Sequence, residues 1–318
     1  MNSDISVGLR IHRITLLCQI QDLGRRGYLR FGVNQSGAMD PYSLRLANIL
    51  AGNPQGTACL EFALAGAIFE VTADSMRVAF VGDFPVKING ASQAANASYY
   101  LQSGDRLEIG ATTGGIHGYL AVTGGFALKP QLGSCATHLR TGLGGFGLPM
   151  TAGSILPVNS SQAPVALGYY LPDSFARKTS RCIRAVRGPQ TGHFTAAGLD
   201  NFFNNAFHVH RNSDRMGYRL GGNPIEMIGD GNIISEPVMP GNVQVPAGGE
   251  PIVLMADCGT VGGYPKIATV ISVDLGQLAQ FAPGTEFIFD EVNVQESQDL
   301  LREQEQRLDD FARSVPQC

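Results

Sequence analysis

Short apolar runs separated by glycine-containing turns dominate the first half of the sequence. RVAFVG at 77–82 and GYLAVT at 118–123 each have the length of one buried strand. Asn89-Gly90 follows a short strand-like stretch and is a strong hairpin signal. Many short strands at this spacing predict a mainly β chain, built as barrels or sandwiches. The same reading predicts first-half strands at 9–17, 67–72, 86–89, 99–101 and within 103–110.

Helix-like patterns are few, and the clearest covers Pro41–Ala51. Asp40 is a candidate N-cap, Pro41 suits the first helical position, and Gly52 follows the last apolar residue. Shorter helices are predicted at 191–204 and 275–280. The run at 293–314 is rich in Glu, Gln, Arg and Leu and predicts a terminal helix.

The second half has its own strand-like stretches and repeats features of the first in the same order. Its predicted strands are 182–186, 207–210, 243–245, 252–255, 266–273 and 286–289. DLGRRGY at Asp22 resembles DRMGY at Asp214, FVGDF resembles LMADC, and SGDRLEIG resembles APGTEFIF. These echoes predict two β-domains of related topology, at 1–175 and 176–318, joined by a crossover at 160–178. A site between or beside the two is a natural expectation.

Composition narrows the class of protein further. The 318 residues include 44% hydrophobic residues and 40 Gly, and the net charge is −4. The chain has no long basic run, so we expect no nucleic-acid partner. No apolar run approaches the ~20 residues that span a bilayer, and no signal peptide is recognisable, so we predict a soluble cytoplasmic protein without membrane contact. The six Cys form no CxxC pair, and His208 and His210 have no evident third ligand, so we predict no metal site.

The stretch from Gln21 to Leu50 collects the first candidate residues. The pattern of Asp22 and Arg25 has two interpretations. They form a structural ion pair, or the Asp orients the guanidinium of the Arg to bind a carboxylate or phosphate. Ser36 to Asp40, SGAMD, reads as a helix cap and equally as an anion site at a helix N-terminus.

Two stretches of the second half supply the remaining candidates. ADCGTVGGYPK at 256–266 contains Asp257, Thr260, Tyr264 and Lys266 among glycines that permit close approach of a ligand. Its spacing does not match a P-loop, and a glycine-rich hairpin is the plain alternative. DRMGYRL at 214–220 adds Arg215 and Tyr218, with Arg215 as the counterpart of Arg25.

Several of these motifs together resemble a known family. QDLGRRGY, SGAMD, LAN, GSC, DRMGYRL, SEPVMPGNVQVP and GGYPKIATV occur in the order found in the biotin-dependent carboxyltransferase family, in its stand-alone branch. That branch includes components of bacterial ATP-dependent 5-oxoprolinases. It is related to the second subunit of allophanate hydrolase and to the carboxyltransferase domain of urea carboxylase.

The resemblance implies two cyclophilin-like β-barrels in tandem, with this chain as the C component of a complex that also contains a smaller B component and a further A component. It implies that the complex opens the lactam of 5-oxoproline to glutamate with ATP as co-substrate. On this basis Asp22, Asp40, Asp257 and Lys266 are predicted catalytic residues. The predicted substrate- or ATP-binding residues are Arg25, Ser36, Arg215, Tyr218, Thr260 and Tyr264.

One departure from the family leaves alternatives open. The usual QTTGGYP reads GTVGGYP here, so Gly259 and Val261 replace a Gln and a Thr. A regulatory protein that binds a partner, such as an antagonist of a kinase inhibitor, is one alternative. Carboxyl transfer from a separate carboxybiotin protein to a urea- or amide-like acceptor is another. The chain has no Met-Lys-Met motif, so we expect no covalently attached biotin.

Overall fold

The computed structural model describes residues 7–15, 17–147, 150–159, 168–177 and 180–315. The predicted mainly β chain with a few helices and a C-terminal helix is confirmed. Part of the predicted 160–178 crossover lies outside the described residues. The described helices are α1 Pro41–Ala51, α2 Ala196–Asn204, α3 Ser272–Ala279 and α4 Val294–Ser314, with 3-10 turns at Leu29–Phe31, Asp173–Phe175 and Thr191–His193. None of the helices in this described part of the chain has the length and apolar character that a bilayer crossing requires.

The chain divides into two compact units, each of which includes a segment from elsewhere in the sequence. The first unit comprises Met1–Arg25, Asp40–Ala176 and Arg307–Cys318, and the second comprises Arg26–Met39 and Arg177–Gln306. The predicted ranges 1–175 and 176–318 were continuous. The stretch from Gln21 to Leu50 is therefore divided between the units. Its middle part, Arg26–Met39, belongs to the second unit, and its two ends belong to the first.

The first unit contains two antiparallel sheets, of six and five strands, in the orders β11-β1-β4-β9-β6-β7 and β2-β3-β10-β5-β8. Its strands are β1 Gly8–Arg13, β2 Gln19–Gln21, β3 Cys59–Ala63, β4 Ile68–Val71, β5 Ser75–Val81, β6 Val86–Ile88, β7 Ala91–Ser92, β8 Ala97–Gln102, β9 Arg106–Ile109, β10 His117–Val122 and β11 Ile155–Pro157. Contacting phenylalanine rings from β3, β4 and β5 lie in the core.

The local signals of the first unit produce the structures they predict. Asp40 caps α1 by accepting from the Ser43 backbone N–H at 3.2 Å, and Gly52 ends it with a left-handed φ of 76°. The β6–β7 hairpin turns at Asn89 and Gly90, whose φ values are 50° and 80°. A two-residue turn with positive φ at both positions matches the twist of the flanking strands.

The second unit contains a closed barrel of seven strands in the order β12-β19-β16-β17-β14-β13-β20, and a separate two-stranded sheet of β15 and β18. The strands are β12 Cys182–Arg187, β13 Ala206–Val209, β14 Gly217–Gly221, β15 Glu236–Pro237, β16 Asn242–Gln244, β17 Ile252–Leu254, β18 Val261–Gly262, β19 Lys266–Val270 and β20 Glu286–Glu291. Helix α2 closes one side, with Phe202 stacked on Phe289.

Two of the predicted echoes correspond to matching local structures. Asp22 and Asp214 each accept a hydrogen bond from the backbone N–H two residues later, as in an Asx turn. Gly104 and Gly284 each form a turn before a strand, with φ values of 86° and 84°. The halves therefore share local turn chemistry, although their sheets close differently.

Candidate functional site

Asp22 in the first unit holds the loop at Ser134 and Cys135. Its carboxylate accepts from the Ser134 hydroxyl at 2.7 Å and from the Cys135 backbone N–H at 2.6 Å. It also accepts from Gly24 N–H at 2.8 Å. These contacts join two segments that are distant in the sequence, so the observed role of Asp22 is to shape this loop.

Arg25 belongs to the same buried arrangement. Its side chain is fully buried, and its guanidinium donates to the carbonyl oxygens of Gln131 at 3.0 Å and Ala136 at 2.9 Å. Backbone carbonyls are neutral acceptors that a loop must satisfy when it is buried. In the structure the guanidinium donates to these backbone carbonyls, and the predicted anion-binding role of Arg25 stays a prediction.

The start of α1 is closed in a similar way. Asp40 is fully buried, and its carboxylate accepts from both the backbone and the hydroxyl of Ser43. The Asp40 N–H donates to the Tyr119 hydroxyl, which in turn donates to Glu61. Burial, followed by the negative charge of Glu61, raises the pKa of Tyr119. The carboxylate of Asp40 therefore occupies the helix N-terminus at which an external anion was one predicted ligand.

Arg215 and Asp257 form a buried ion pair in the second unit. Arg215 Nε lies 2.8 Å from Asp257 Oδ2, and one Nη lies 3.1 Å from Oδ1, so the contact is bidentate. The same Nη donates to the carbonyl of Gly37 at 2.6 Å. The Asn34 amide donates to the carbonyl oxygens of Asp257 and Cys258. The pair therefore fixes the Asn34–Gly37 segment to the start of the glycine-rich loop.

Ser36 lies within that segment in an unusual conformation. Its φ of 54° is left-handed, which is uncommon for a residue other than glycine. The hydroxyl is buried and has no hydrogen-bond partner among the described residues. Its predicted contact with substrate stays a prediction.

Cys258 is a protonated, buried thiol at neutral pH. Burial, and then the charge of Asp257, raises its pKa to about 12. A thiol is nucleophilic only as the thiolate. The glycine-rich loop therefore does not offer Cys258 as a nucleophile.

Lys266 opens β19 at the end of the glycine-rich loop and lies beside two residues that sequence reasoning missed. Its ammonium pairs with Glu236 of β15. The Gln190 amide donates to the same carboxylate oxygen at 2.7 Å and accepts from the Lys266 backbone N–H at 3.1 Å. Hydrogen bonding from Lys266, together with that from Gln190, lowers the pKa of Glu236. The Lys266 side chain is 6% exposed, whereas that of Glu236 is 38% exposed. The cation of the pair is therefore buried, and its carboxylate partner is accessible to solvent.

A β-bulge and two glycines fix the position of Lys266. Val243 pairs with Ala268 but Gln244 pairs with Lys266, so Ile267 is an extra residue in β19. Bulges redirect side chains and are common beside active sites. On the other side, a Cβ at Gly188 would lie 2.1 Å from the Lys266 carbonyl oxygen, so only glycine fits there. Gly262 lies directly opposite Glu236 in the β15–β18 ladder.

The remaining predicted residues divide between surface and core. Tyr264 is 40% exposed and Thr260 is half-buried, so both are positioned on the loop where a ligand has access. Tyr218 is 3% exposed, and its hydroxyl donates to the carbonyl of Ala279 at 2.9 Å at the end of α3. The structure thus groups Arg215, Asp257 and Lys266 at the two ends of one loop, while Tyr218 anchors a helix.

Glu236 had a usable signal in the sequence. It belongs to SEPVMPGNVQVP, one of the runs that carry the family resemblance, and it is the one acidic residue of that run. Gln190 had no such signal, because an isolated Gln between Pro189 and Thr191 is typical of an ordinary turn.

Comparisons with known proteins agree with the fold and the motifs. The family described as carboxyltransferase domain, subdomain A and B, matches residues 31–291. The chain is 37% identical to the C subunit of the 5-oxoprolinase of Haemophilus influenzae, over 93% of this chain and 95% of that protein. It is 32% identical to the 5-oxoprolinase C subunit of Escherichia coli, over 96% and 97% respectively.

A larger enzyme contains a similar structure as one part. The crystal structure of the K. lactis urea amidolyase superposes with a TM-score of 0.90 at 28% identity, covering 96% of this chain and 20% of that one. The chain therefore spans about a fifth of the length of that enzyme. The family match and the near-full-length relatives show that the chain belongs to the carboxyltransferase domain family, subdomains A and B.

Proposed function

We propose that this chain is the C component of an ATP-dependent 5-oxoprolinase-like complex that hydrolyses the lactam of 5-oxoproline to glutamate. The observation that carries the proposal is the match, nearly end to end in both directions, with two proteins named as the C subunit of 5-oxoprolinase. The A and B components implied by that name are the proposed partners, and the cytoplasm, where ATP is available, is the proposed location.

The chemistry of a lactam explains what this chain would have to provide. The amide is resonance-stabilised, so its carbonyl oxygen must be activated before water attacks, and phosphorylation by ATP supplies that activation. The substrate also carries a carboxylate, and negative charge develops on oxygen during the reaction. A site that holds a buried cation next to a loop of small residues suits both requirements.

Lys266 is the residue we assign to the substrate carboxylate. Its ammonium is buried, and its partner Glu236 is the more exposed of the two, so an incoming carboxylate can exchange with Glu236 on the same cation. An ammonium in a buried site binds an anion more strongly than one in water, because the local dielectric constant is lower. Thr260 and Tyr264 are assigned as hydrogen-bond donors from the loop.

Arg215 and Asp257 are assigned a positioning role. Both charges are already committed to one another in bidentate geometry. Asp257 is therefore a poor candidate for a general base, and the pair instead holds the loop that presents Thr260 and Tyr264. ATP enters as a co-substrate of the complex, and we assign none of its phosphate contacts to this chain because the loop lacks phosphate-binding spacing.

The test is 5-oxoproline-dependent ATP hydrolysis by the complex reconstituted with the two partner proteins. Lys266→Met is expected to lower kcat/KM for 5-oxoproline by roughly a hundredfold, as the loss of a buried charge-assisted contact would. Lys266→Arg, which keeps the charge, is expected to retain more activity. Lys87→Met, at an exposed position of β6, is the matched control and should behave like wild type. A Lys266→Met complex with wild-type kinetics would remove Lys266 from the site.

Carboxyl transfer is the second candidate, and the likeness to urea amidolyase favours it. This chain matches only a fifth of that enzyme, so any such activity would need a carboxybiotin-bearing partner. Transfer of labelled carboxylate from a carboxylated biotin protein to urea, with no ATP-dependent opening of 5-oxoproline, would select this alternative.

A further inference from the structure

Gln244 is a buried residue beside Lys266 that lies within the run SEPVMPGNVQVP but was not among the predicted site residues. It is 6% exposed, and its side-chain nitrogen has no hydrogen-bond partner among the described residues. A buried N–H donor without an acceptor is unfavourable and rare in folded proteins. The position of this donor therefore calls for a reason other than packing.

The bulge in β19 places this donor next to the buried cation. Gln244 of β16 and Lys266 of β19 are direct partners in the ladder. Directly opposed residues extend their side chains on the same face, with Cβ atoms roughly 5 Å apart. In a regular ladder that continued from the Val243–Ala268 pair, Gln244 would instead lie opposite the apolar Ile267. The amide and the ammonium are thus brought side by side by one local irregularity.

Gly262 in the glycine-rich loop makes room for the same amide. A Cβ built on Gly262 would lie 2.4 Å from Gln244 Nε2, which is too close for any side chain to be added without moving the amide. The backbone of Gly262 has no left-handed φ, so glycine is not needed there for conformation. The space beside Gly262 is therefore occupied by the Gln244 amide.

We propose that Gln244 Nε2 and Lys266 Nζ together bind the carboxylate of a small cyclic acid, with Gly262 retained to keep the amide in place. This deepens the proposed function and rests on it for the identity of the acid as 5-oxoproline. The ammonium supplies charge and the amide supplies direction, since an N–H donor fixes the plane of a bound carboxylate. Glu236 holds the cation until the acid arrives.

The proposal predicts that Gln244 and Lys266 recognise the carboxylate of the ligand rather than its lactam. Isothermal titration of the full chain and of the reconstituted complex would use three probes: 5-oxoproline, 2-pyrrolidinone, which lacks the carboxylate, and cyclopentanecarboxylate, which lacks the lactam. We expect binding of both acids and much weaker binding of 2-pyrrolidinone. If neither acid binds wild-type chain or complex at millimolar concentration, or if 2-pyrrolidinone binds as well as 5-oxoproline, the proposal is overturned.

Variants at two positions separate this role from simple packing. Gln244→Leu should weaken binding of both acids by about tenfold, and Gln244→Glu by more, because it places a second carboxylate beside Lys266. Gly262→Ala should reproduce the loss without changing Gln244, by displacing its amide. Gly248→Ala, where a Cβ meets nothing within 4 Å, is the matched control and should bind like wild type.

The outcomes also distinguish this inference from the proposed function. Acid binding that responds to Gln244 and Gly262 in a complex that never hydrolyses 5-oxoproline would overturn the function and leave the carboxylate site standing. Hydrolysis with a wild-type KM in folded Gln244→Leu and Gly262→Ala complexes would overturn this inference and leave the function standing. Thermal melting of each variant establishes that the protein compared is folded.

Discussion

Arg25 directly follows an aspartate turn in the first half of the chain, and Arg215 lies within a similar turn in the second, yet their guanidinium groups have different partners. Arg25 is fully buried and donates to two backbone carbonyls. Arg215 forms a bidentate pair with Asp257 and is 17% exposed. A repeated motif can therefore preserve a turn while the contacts of its arginine differ. In the first unit the arginine donates to the backbone of a loop, and in the second it forms an ion pair beside a candidate site.

The acidic residues differ in the same way. Asp22 accepts one hydrogen bond from its own turn, at Gly24, and two from the distant loop at Ser134 and Cys135. Asp257 shares its carboxylate with a cation, while its carbonyl accepts from Asn34. The charge of Asp22 is satisfied by neutral donors, and that of Asp257 by an opposite charge.

The largest expected effect comes from removing the buried guanidinium. Arg25→Met leaves the carbonyls of Gln131 and Ala136 buried without these donors, and each such loss costs ~1–3 kcal/mol. We expect the free energy of unfolding of the first unit to fall by about 3 kcal/mol, measured by urea denaturation. Arg10→Met, at an exposed position of β1 in the same unit, should change it by less than ~0.5 kcal/mol. An unchanged unfolding midpoint combined with lost ligand binding would instead make Arg25 a binding residue.

A smaller effect is expected from the pair in the second unit. In a double-mutant cycle, Arg215→Met and Asp257→Asn should couple by about 2 kcal/mol, because each single change removes one partner of a poorly hydrated, bidentate ion pair. The exposed pair Arg187 and Glu291 has similar geometry, with side chains 51% and 41% exposed, and should couple by less than ~1 kcal/mol. Additive effects at Arg215 and Asp257 would contradict the observed partnership.

The smallest expected effect is a difference in reactivity between two thiols of the wild-type protein, which involves no change in its stability. Burial and the charge of Asp257 raise the pKa of Cys258 to about 12. Burial also raises the pKa of the half-buried Cys135, but the nearby Arg25 opposes that rise. A raised pKa lowers the thiolate fraction at any pH below it, so iodoacetamide at mildly alkaline pH should modify Cys135 at least roughly tenfold faster than Cys258. Peptide mapping measures both rates, and equal rates in urea would serve as the control.

The fold was accessible from the sequence wherever its signals were local. The caps of α1, the Asn89-Gly90 turn and the terminal helix each depend on a few neighbouring residues, and each was found close to its predicted bounds. Strand β3 was missed, because CLEFA is buried at four of its five positions and shows no alternation. Strand β14 was not predicted, because its residues overlap the DRMGYRL motif, which was considered only for its candidate site residues.

The candidate site was only partly accessible. Lys266, Asp257 and Arg215 stood out because charged residues near clustered glycines are informative in any sequence. Their partners were not predictable, because Glu236 lies 30 positions from Lys266 and Gln190 lies 76 positions from it. Proximity of this kind arises only when the chain folds and brings β15 and the Gln190 turn beside β19, and no local pattern encodes it.

The sequence by itself determined the mainly β class, the capped helices, the family and the loop that carries Lys266. The tertiary structure decided which charges are buried and what they meet. Local backbone preferences act over a few residues and can be read in order along the chain. Burial and pairing of charge depend on which distant segments become neighbours. Only the folded chain therefore shows that Arg25 donates to loop carbonyls whereas Arg215 pairs with Asp257.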